Sequence, residues 1–445
     1  MRKFLLVGLL MLALVFLPIL SACSSSSSTT ASAIPPVKTT TAAAAASAPA
    51  APAASSAQPA VSTTSAAAQS EKILKIGVIG WFGASKHLDA IHGIEVMADM
   101  DNKNGGWDIG GEKYKIELDI YDSNNSQTTE VAAVNKLIFQ DKVKFIMGTG
   151  VYGAAWLPTT EENKVIAMSP THNYNVALDP KLNYSFEPCV VNGQSVTLIG
   201  WLCKNHPELV QNIVDAYPDN QMGHMISGGV EAVWSFFGGK VTSVYYPFEQ
   251  TDLSSLGTKV ATMNPSVFEA IGGGNQDYEA YKAAYRAGYR GQFFASTTNP
   301  ATIMTQTIPA EALEGYICGA LPTEFDPALT QNAIDFKTAW IAKYGNWEDP
   351  DIAASSAFAC LKEAIKQAGS TDTDKVAAVM ANGLKYEGAT GAQEMISRPD
   401  LGNNRTVDSL GVSYVKVMKS GKPELLAAIG LDEGLSYFRV AFPAK

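Results

Sequence analysis

The sequence lacks the short motifs that mark the common classes of enzyme and metal site. It contains no GxSxG, HExxH or GxxxxGK[ST] pattern and no CxxC pair, and its five histidines show no spacing typical of a metal site. We therefore expect no catalytic residues, no metal site and no cofactor. Because catalytic triads are recognised in space and not in sequence order, these absences disfavour an enzyme without excluding one.

Basic residues are also in the minority. The chain has 33 Lys and Arg against 43 Asp and Glu, a net charge of −10. All the acidic residues lie in residues 71–445, whereas Arg2, Lys3 and Lys38 lie outside, so this part is more acidic than the whole chain. An acidic surface repels phosphate groups, so we expect no nucleic-acid partner.

Only one long apolar run occurs, from Phe4 to Leu20, directly after Arg2 and Lys3. A basic start, an apolar stretch and small residues at its end predict a secretory signal peptide over residues 1–23. The alternative is a retained transmembrane helix. The run is short for a span of about 20 residues, and no basic stop-transfer cluster follows it.

The run ends in Leu20-Ser21-Ala22-Cys23, which resembles the lipobox of bacterial lipoproteins. This resemblance implies that Cys23 becomes the N-terminus and carries lipid. We therefore expect an extracytoplasmic protein that is anchored through Cys23 to the bacterial cell membrane.

Residues 24–70 consist almost wholly of Ser, Thr, Ala and Pro, with no aromatic residue and with Lys38 as their only charge. Such a segment buries too little apolar surface to offset its ordering entropy, so it predicts a disordered tether. Residues 71–445 are long enough for two lobes.

Four cysteines follow Cys23: Cys189, Cys203, Cys318 and Cys360. In an exported protein they permit disulfides in three pairings, and the spacing does not choose between them. Cys360 lies in an apolar helical pattern that also fits a buried thiol.

Short β-rich runs alternate with longer helical runs along the body. The first set has strands at 75–79, 114–121, 144–147 and 165–168, with helices at 88–102, 127–140 and 154–163. The second set has strands at 212–216, 241–246, 267–271 and 292–295, with helices at 195–203, 223–237, 253–263 and 278–287. Helices at 330–344, 352–367 and 373–382 and a hairpin of 412–418 with 424–429 complete the chain. This alternation predicts an α/β fold of two Rossmann-like lobes, each with a parallel central sheet.

The body of the chain resembles the branched-chain amino-acid-binding family of ABC-transporter solute-binding lipoproteins, which have the type I periplasmic-binding-protein fold. The resemblance covers nearly the whole body, and its order and spacing carry it more than any single motif. The matching segments are Lys75–Gly80, Gly93–Ala98, Asn102–Gly106, Lys115–Asn125, Val165–Thr171, Gly239–Val241, Tyr245–Pro247 and Thr251–Ser254.

The family implies two hinge-linked lobes that close on a small solute in the cleft between them. Lobe 1 would comprise about residues 71–192 plus 317–385, and lobe 2 about 193–316 plus 386–445. The closed form would deliver the solute to an ABC permease, and we expect a monomer. A ligand-sensing receptor for a signalling partner is the alternative, with a surface hydrolase or adhesive lipoprotein less favoured.

Ligands of parallel α/β sheets bind beyond the carboxyl ends of the strands. In the first lobe this places Thr149, Gly150 and Tyr152 at the ligand, in a glycine-rich loop. By the resemblance, Thr171 and Asn173 hold the ligand carboxylate. Trp81 in the first cleft loop is a further candidate, although packing at the hinge or core explains it equally well.

In the second lobe, the Gly-Gly pair after a strand resembles a family loop whose acid contacts the ligand ammonium, which assigns that role to Asp277. An acid at the start of a helix is the alternative for Asp277, and the same choice applies to Asp252. Met222 stands where relatives often carry Tyr. With Trp81, this departure predicts a more apolar pocket. Asp277 for an ammonium and the two Gly/Thr-rich loops for a carboxylate predict an amino acid with an apolar side chain as ligand, with a related carboxylate as the alternative.

Overall fold

Two central sheets, each dominated by parallel strands, organise the chain. In the computed structural model the described residues are 72–83, 85–148, 152–168, 179–188, 190–248, 250–272, 274–347, 353–388, 391–397 and 406–441. They all belong to one compact unit, Ala68–Lys445. The predicted signal peptide, Cys23 and the predicted tether lie outside the described residues.

The first sheet has the strand order β2-β3-β1-β4-β5-β6 and is parallel except where β2 meets β3. Its strands are β1 (Lys72–Gly80), β2 (Trp107–Ile109), β3 (Glu112–Asp122), β4 (Phe145–Gly148), β5 (Ile166–Met168) and β6 (Ser185–Phe186). Its helices are α1 (Ser85–Lys103), α2 (Gln127–Phe139) and α3 (Gly153–Glu162), joined later in the chain by α10 (Gln331–Tyr344), α11 (Ala353–Ala368) and α12 (Thr373–Ala381). Together they form lobe 1.

Strand β1 shows why this sheet is covered on both faces. Ile76 and Val78 pack into a core with α1 and α11, whereas Ile79 packs into a second core with α2 and α3. Successive side chains of a strand point to opposite faces, so a nearly continuous apolar run is what a parallel strand buried on both faces requires.

The second sheet has the order β16-β15-β11-β10-β9-β7-β8, with parallel pairing from β11 to β8 and antiparallel pairing of β15 and β16. Its strands are β7 (Ile213–Pro218), β8 (Val241–Tyr246), β9 (Val267–Ala270), β10 (Gln292–Thr298), β11 (Ile317–Ala320), β15 (Ser413–Lys419) and β16 (Lys422–Ile429). Its helices are α4 (Val190–Asn205), α5 (Gln221–Phe236), α6 (Ser254–Met263), α7 (Asn275–Arg286), α8 (Ala301–Thr307), α9 (Ala310–Leu313) and α13 (Leu431–Ala441). Together they form lobe 2.

A third, antiparallel sheet connects the lobes. It consists of β12 (Lys385–Gly388), β13 (Gly391–Ser397) and β14 (Thr406–Gly411). Met395 of β13 belongs to the lobe 1 core, and its neighbour Ile396 belongs to the lobe 2 core. Because these side chains point to opposite faces of one strand, β13 is shared by the two lobes.

The predicted α/β fold with two lobes is confirmed, as are the predicted helices and strands that lie in the described ranges, to within a few residues. The predicted hairpin is also confirmed, and Ser420 and Gly421 have φ of 49° and 74° at its two-residue turn. One boundary needs correction. Ile317–Ala320 pairs with β10 and β15 in lobe 2, so the crossover begins after Ala320 and not before Ile317.

The cysteines bear on the open question of disulfides. Cys203, Cys318 and Cys360 are free thiols in the structure, and Cys189 lies outside the described residues. The prediction that Cys360 is a buried thiol is confirmed. Burial raises the pKa of the Cys318 thiol to about 12, so this group is a poor nucleophile near neutral pH.

Candidate functional site

Lobe 2 begins directly after the last strand of the first sheet. Strand β6 of lobe 1 leads directly towards α4 of lobe 2. Near its N-terminus α4 carries Gln194, whose side-chain oxygen accepts a hydrogen bond of 2.9 Å from Thr298 Oγ1 at the end of β10. The candidates Trp81, Tyr152 and Asp277 each lie just beyond the carboxyl end of a parallel strand, where ligands of this sheet type bind.

In lobe 1 the turn after β3 organises the loop after β1. The Ser123 backbone N–H donates to the Gly80 carbonyl at 2.8 Å, and Asp122 Oδ1 accepts from the Phe82 backbone N–H at 3.2 Å. The half-buried Trp81 folds back over Gly83, where a Cβ atom would lie 2.5 Å from the indole Nε1. The sequence candidate Trp81 thus stands at the edge of lobe 1 with part of its ring accessible.

The same turn reaches Tyr152, the residue before α3. The Tyr152 hydroxyl donates to the Asn125 carbonyl at 3.4 Å, so the end of β3 and the turn after it bond both Tyr152 and the residues on either side of Trp81. Beneath them Glu130 is fully buried and accepts a 2.9 Å hydrogen bond from Trp156 Nε1. Burial raises the pKa of the Glu130 carboxyl, and hydrogen bonds from Trp156 and the Tyr152 backbone oppose that shift.

Sequence reasoning missed Glu130. The available signal was an acid at an apolar position of the amphipathic helix α2, followed by Ala133, Val134 and Leu137 on the same buried face. Such a position predicts a carboxylate that needs a buried donor. The other lobe 1 candidates, Thr149, Gly150, Thr171 and Asn173, lie outside the described residues.

In lobe 2 the candidate Asp277 lies in the first turn of α7, after a loop in which Gly272 and Gly274 have φ of 96° and 62°. Only glycine adopts such φ values readily, so this loop can turn sharply from β9 into the helix. Asp277 is 8% exposed, and its Oδ1 accepts a 3.1 Å hydrogen bond from the Tyr246 hydroxyl. Burial, and then the neighbouring Asp277 charge, raise the pKa of Tyr246, which therefore remains a donor.

Tyr246 was missed because it ends a strand whose alternate positions are exposed, and nothing in the sequence distinguishes it from Tyr245.

The candidate Met222 lies in the first turn of α5. Its neighbour Gly223 is required there, because a Cβ atom would lie 2.0 Å from the Pro218 carbonyl oxygen. The side chain of Met222 lies outside the described residues.

Asp252 has a local structural role. Its Oδ1 accepts from the Ser254 backbone N–H at 2.9 Å and from the Ser254 hydroxyl at 2.6 Å at the start of α6. These hydrogen bonds lower the pKa of the carboxyl. Asp252 also lines a groove of about 380 Å³ between α6 and α7 together with Lys282 and Arg286. The hydrogen bonds to Ser254 give Asp252 the role of an acid at a helix start, which was the alternative interpretation of the sequence.

A second pair of acids, Asp215 and Glu269, lies deeper in lobe 2. The two residues are in register on the neighbouring strands β7 and β9, and both are fully buried. Burial and then the Glu269 charge raise the pKa of Asp215, while burial raises that of Glu269 to about 7. Tyr217 donates to Asp215 at 3.2 Å, and the Ser296 backbone N–H donates to Glu269 at 2.6 Å.

Within the described ranges, no cluster of three or more His, Cys, Asp or Glu side chains is arranged to hold a metal ion. Among the same residues, no helix is both long enough and apolar enough to cross a bilayer.

Comparison with known proteins identifies the family. The model of the periplasmic binding protein family matches residues 74–416, which include most of both lobes and end within β15. The chain belongs to the periplasmic binding protein family. No curated protein gives a significant match.

Solved structures of this class share the fold. A leucine-binding protein from Thermotoga maritima is 20% identical with a TM-score of 0.63, over 81% of this chain and 100% of its own. A branched-chain amino-acid transporter substrate-binding protein from Streptococcus pneumoniae, in complex with isoleucine, is 18% identical with a TM-score of 0.62, over 80% and 99%. A solute-binding protein of an ABC transporter from R. palustris, in complex with benzoate, is 17% identical with a TM-score of 0.61, over 80% and 96%. At these identities the likeness establishes the type I periplasmic-binding-protein fold.

Proposed function

We propose that the chain is the solute-binding lipoprotein of an ABC importer, and that it captures an amino acid with an apolar side chain by lobe closure. The choice of an amino acid as the ligand rests on Asp277. Its buried carboxylate accepts a hydrogen bond from Tyr246 and lies in the first turn of α7, just after the loop that follows β9. A carboxylate in a water-poor cleft is a directional partner for an ammonium group.

The principal competing ligand is a carboxylate without an ammonium group. Related structures hold isoleucine in one case and benzoate in another. Both molecules combine a carboxylate with an apolar body, and only the amino acid needs an acidic partner. The half-buried ring of Trp81 at the lobe 1 edge suits either apolar body.

Calorimetry with L-leucine and with benzoate distinguishes the two ligands. We expect Asp277→Asn to weaken L-leucine binding by about 2–5 kcal/mol, which is at least about 30-fold, because the ammonium loses its buried counter-charge. Asp252→Asn is the matched control, since it changes a helix-start acid of the same lobe, and it should leave affinity unchanged. Unaltered L-leucine affinity in Asp277→Asn contradicts the assignment, and consumption of a solute contradicts the binding function.

We propose that lipid on Cys23 keeps the binding domain at the outer face of the cell membrane, within reach of the permease. The lipobox-like ending at Cys23 and the tether composition support this. Cys23→Ser should move the protein from the detergent phase to the aqueous phase in detergent partitioning of whole cells. Retention in the detergent phase would indicate a membrane-spanning helix instead.

A further inference from the structure

The middle connection between the lobes is built as a closed turn. It leaves β11 at Ala320, forms a 3₁₀ turn at Pro322–Glu324 and reaches α10 at Gln331. The Leu321 backbone N–H donates to Glu324 Oε1 at 2.8 Å, and the Glu324 backbone N–H donates to the Leu321 carbonyl at 3.1 Å. These reciprocal bonds make Leu321–Glu324 a unit that moves as one piece.

Lobe 2 holds this turn through a buried ion pair. Lys416 of β15 is 0% exposed, and its ammonium pairs with Glu324, whose side chain is 1% exposed. Lys416 Nζ also donates to the Asn299 carbonyl at 2.6 Å, at the end of β10. Two charges without access to water must stay paired, because separating them would leave each one desolvated and unsatisfied. The turn is therefore firmly attached to lobe 2.

Lobe 1 holds the same turn by a weaker contact. Lys337 of α10 donates through Nζ to the Thr323 carbonyl at 2.9 Å, next to Glu324 in the chain. The Lys337 side chain is only partly buried, and its ammonium also lies 5.4 Å from the centre of the Trp347 ring. A partly solvated ammonium can exchange a carbonyl for water at little cost, so this contact is the one that breaks more easily.

We propose that Lys416 and Lys337 are positioning residues that clamp the Leu321–Glu324 turn between the lobes. The Lys416–Glu324 pair makes the turn a permanent part of lobe 2, whereas the Lys337–Thr323 contact opens when the lobes move. Bending then falls in residues 325–330, where Asp326, Pro327 and Leu329 are exposed, and it breaks the 3.0 Å hydrogen bond from the Leu329 backbone N–H to the Pro322 carbonyl. The proposal rests on the proposed function only in that capture of a solute requires the lobes to move.

Amide hydrogen exchange on the full chain without solute tests both halves of the clamp. The double variant Lys416→Met with Glu324→Gln removes both charges, and glutamine keeps an acceptor for Leu321. It should raise exchange at the Leu321 and Glu324 amides at least ten-fold, while the strands of both sheets stay protected. Lys337→Met should instead raise exchange at Leu329 and in the first turn of α10, with Leu321 and Glu324 still protected.

The matched control is Lys362→Met with Asp101→Asn, an ion pair of α11 and α1 within lobe 1. It should leave exchange over residues 321–330 unchanged. Unchanged exchange at Leu321 and Glu324 in the first double variant would overturn the lobe 2 anchor, and so would an equal rise throughout both sheets. A rise at Leu321 and Glu324 in Lys337→Met would overturn the asymmetry. Since no solute is used, these results are separable from any failure to bind L-leucine.

Discussion

Asp215 and Glu269 lie side by side within the second sheet, and neither side chain is exposed. Burial disfavours the ionised form of each, and two like charges on neighbouring strands disfavour double ionisation further. The pair therefore holds at least one proton near neutral pH. Glu269 is the better defined of the two, because burial raises its pKa from 4.5 to about 7.

The sign of the resulting pH dependence follows from proton binding. Between pH 4.5 and 7 the folded protein holds a proton on Glu269 that the unfolded chain has released. The free energy of unfolding therefore falls as pH rises through this window, and the loss is complete above pH 7. A shift from 4.5 to about 7 corresponds to a loss of roughly 2–3 kcal/mol between pH 5 and pH 8.

The variant Glu269→Gln removes this titration. Between pH 5 and pH 8, the stability of this variant relative to the wild type should rise by roughly 2–3 kcal/mol. Urea unfolding followed by tryptophan fluorescence measures the difference. Ser296→Ala is the comparison variant, because it keeps Glu269 and the backbone N–H that bonds it, and it removes only the Ser296 hydroxyl, which lowers the pKa of Glu269. Its free energy of unfolding should therefore still fall between pH 5 and pH 8. Wild-type and Glu269→Gln curves that run parallel from pH 5 to pH 8 would refute the reasoning.

Two further substitutions test the local geometry of lobe 2. Gly223→Ala should destabilise the protein by about 1–3 kcal/mol in thermal unfolding, because its Cβ would lie 2.0 Å from the Pro218 carbonyl oxygen. Wild-type stability would show that α5 can shift freely at its start. Tyr246→Phe removes one hydrogen bond to Asp277, which is worth about 1 kcal/mol. It should therefore weaken L-leucine binding about five-fold and leave benzoate binding unchanged. Equal losses for both solutes would indicate damage to lobe 2 instead.

Most helices and strands could be predicted because apolar residues recur in them at the spacing typical of a helix or a strand. The strand Val241–Tyr246 was predicted with the bounds that the structure shows. Strand β11 was missed because its four residues, Ile-Cys-Gly-Ala, are too short and too poor in β-branched residues to stand out. The third sheet was missed because its strands are polar, and they are stabilised by packing between lobes that no local pattern reports.

From the sequence, candidate site residues could be located only in loops that follow predicted strands. Trp81, Tyr152 and Asp277 follow strands, so the alternation of strands and helices locates them at one end of each sheet. Glu130 and Tyr246 support those positions from within, and their roles depend on which face of an element is buried. The Lys416–Glu324 pair joins residues 92 positions apart and carries no local signal.

The buried acids of the two lobes differ in what balances them. In lobe 1, Asp101 is paired with Lys362 and accepts a hydrogen bond from Trp107, and Glu130 accepts one from Trp156. In lobe 2, Asp215 accepts a hydrogen bond from Tyr217 and faces a second acid, Glu269, on the neighbouring strand. Two facing carboxyls hold a proton that alkaline solution removes, and its loss leaves two like charges side by side. Rising pH should therefore loosen the sheet of lobe 2 before that of lobe 1, and this is the sheet from which Asp277 and the clamped crossover are positioned.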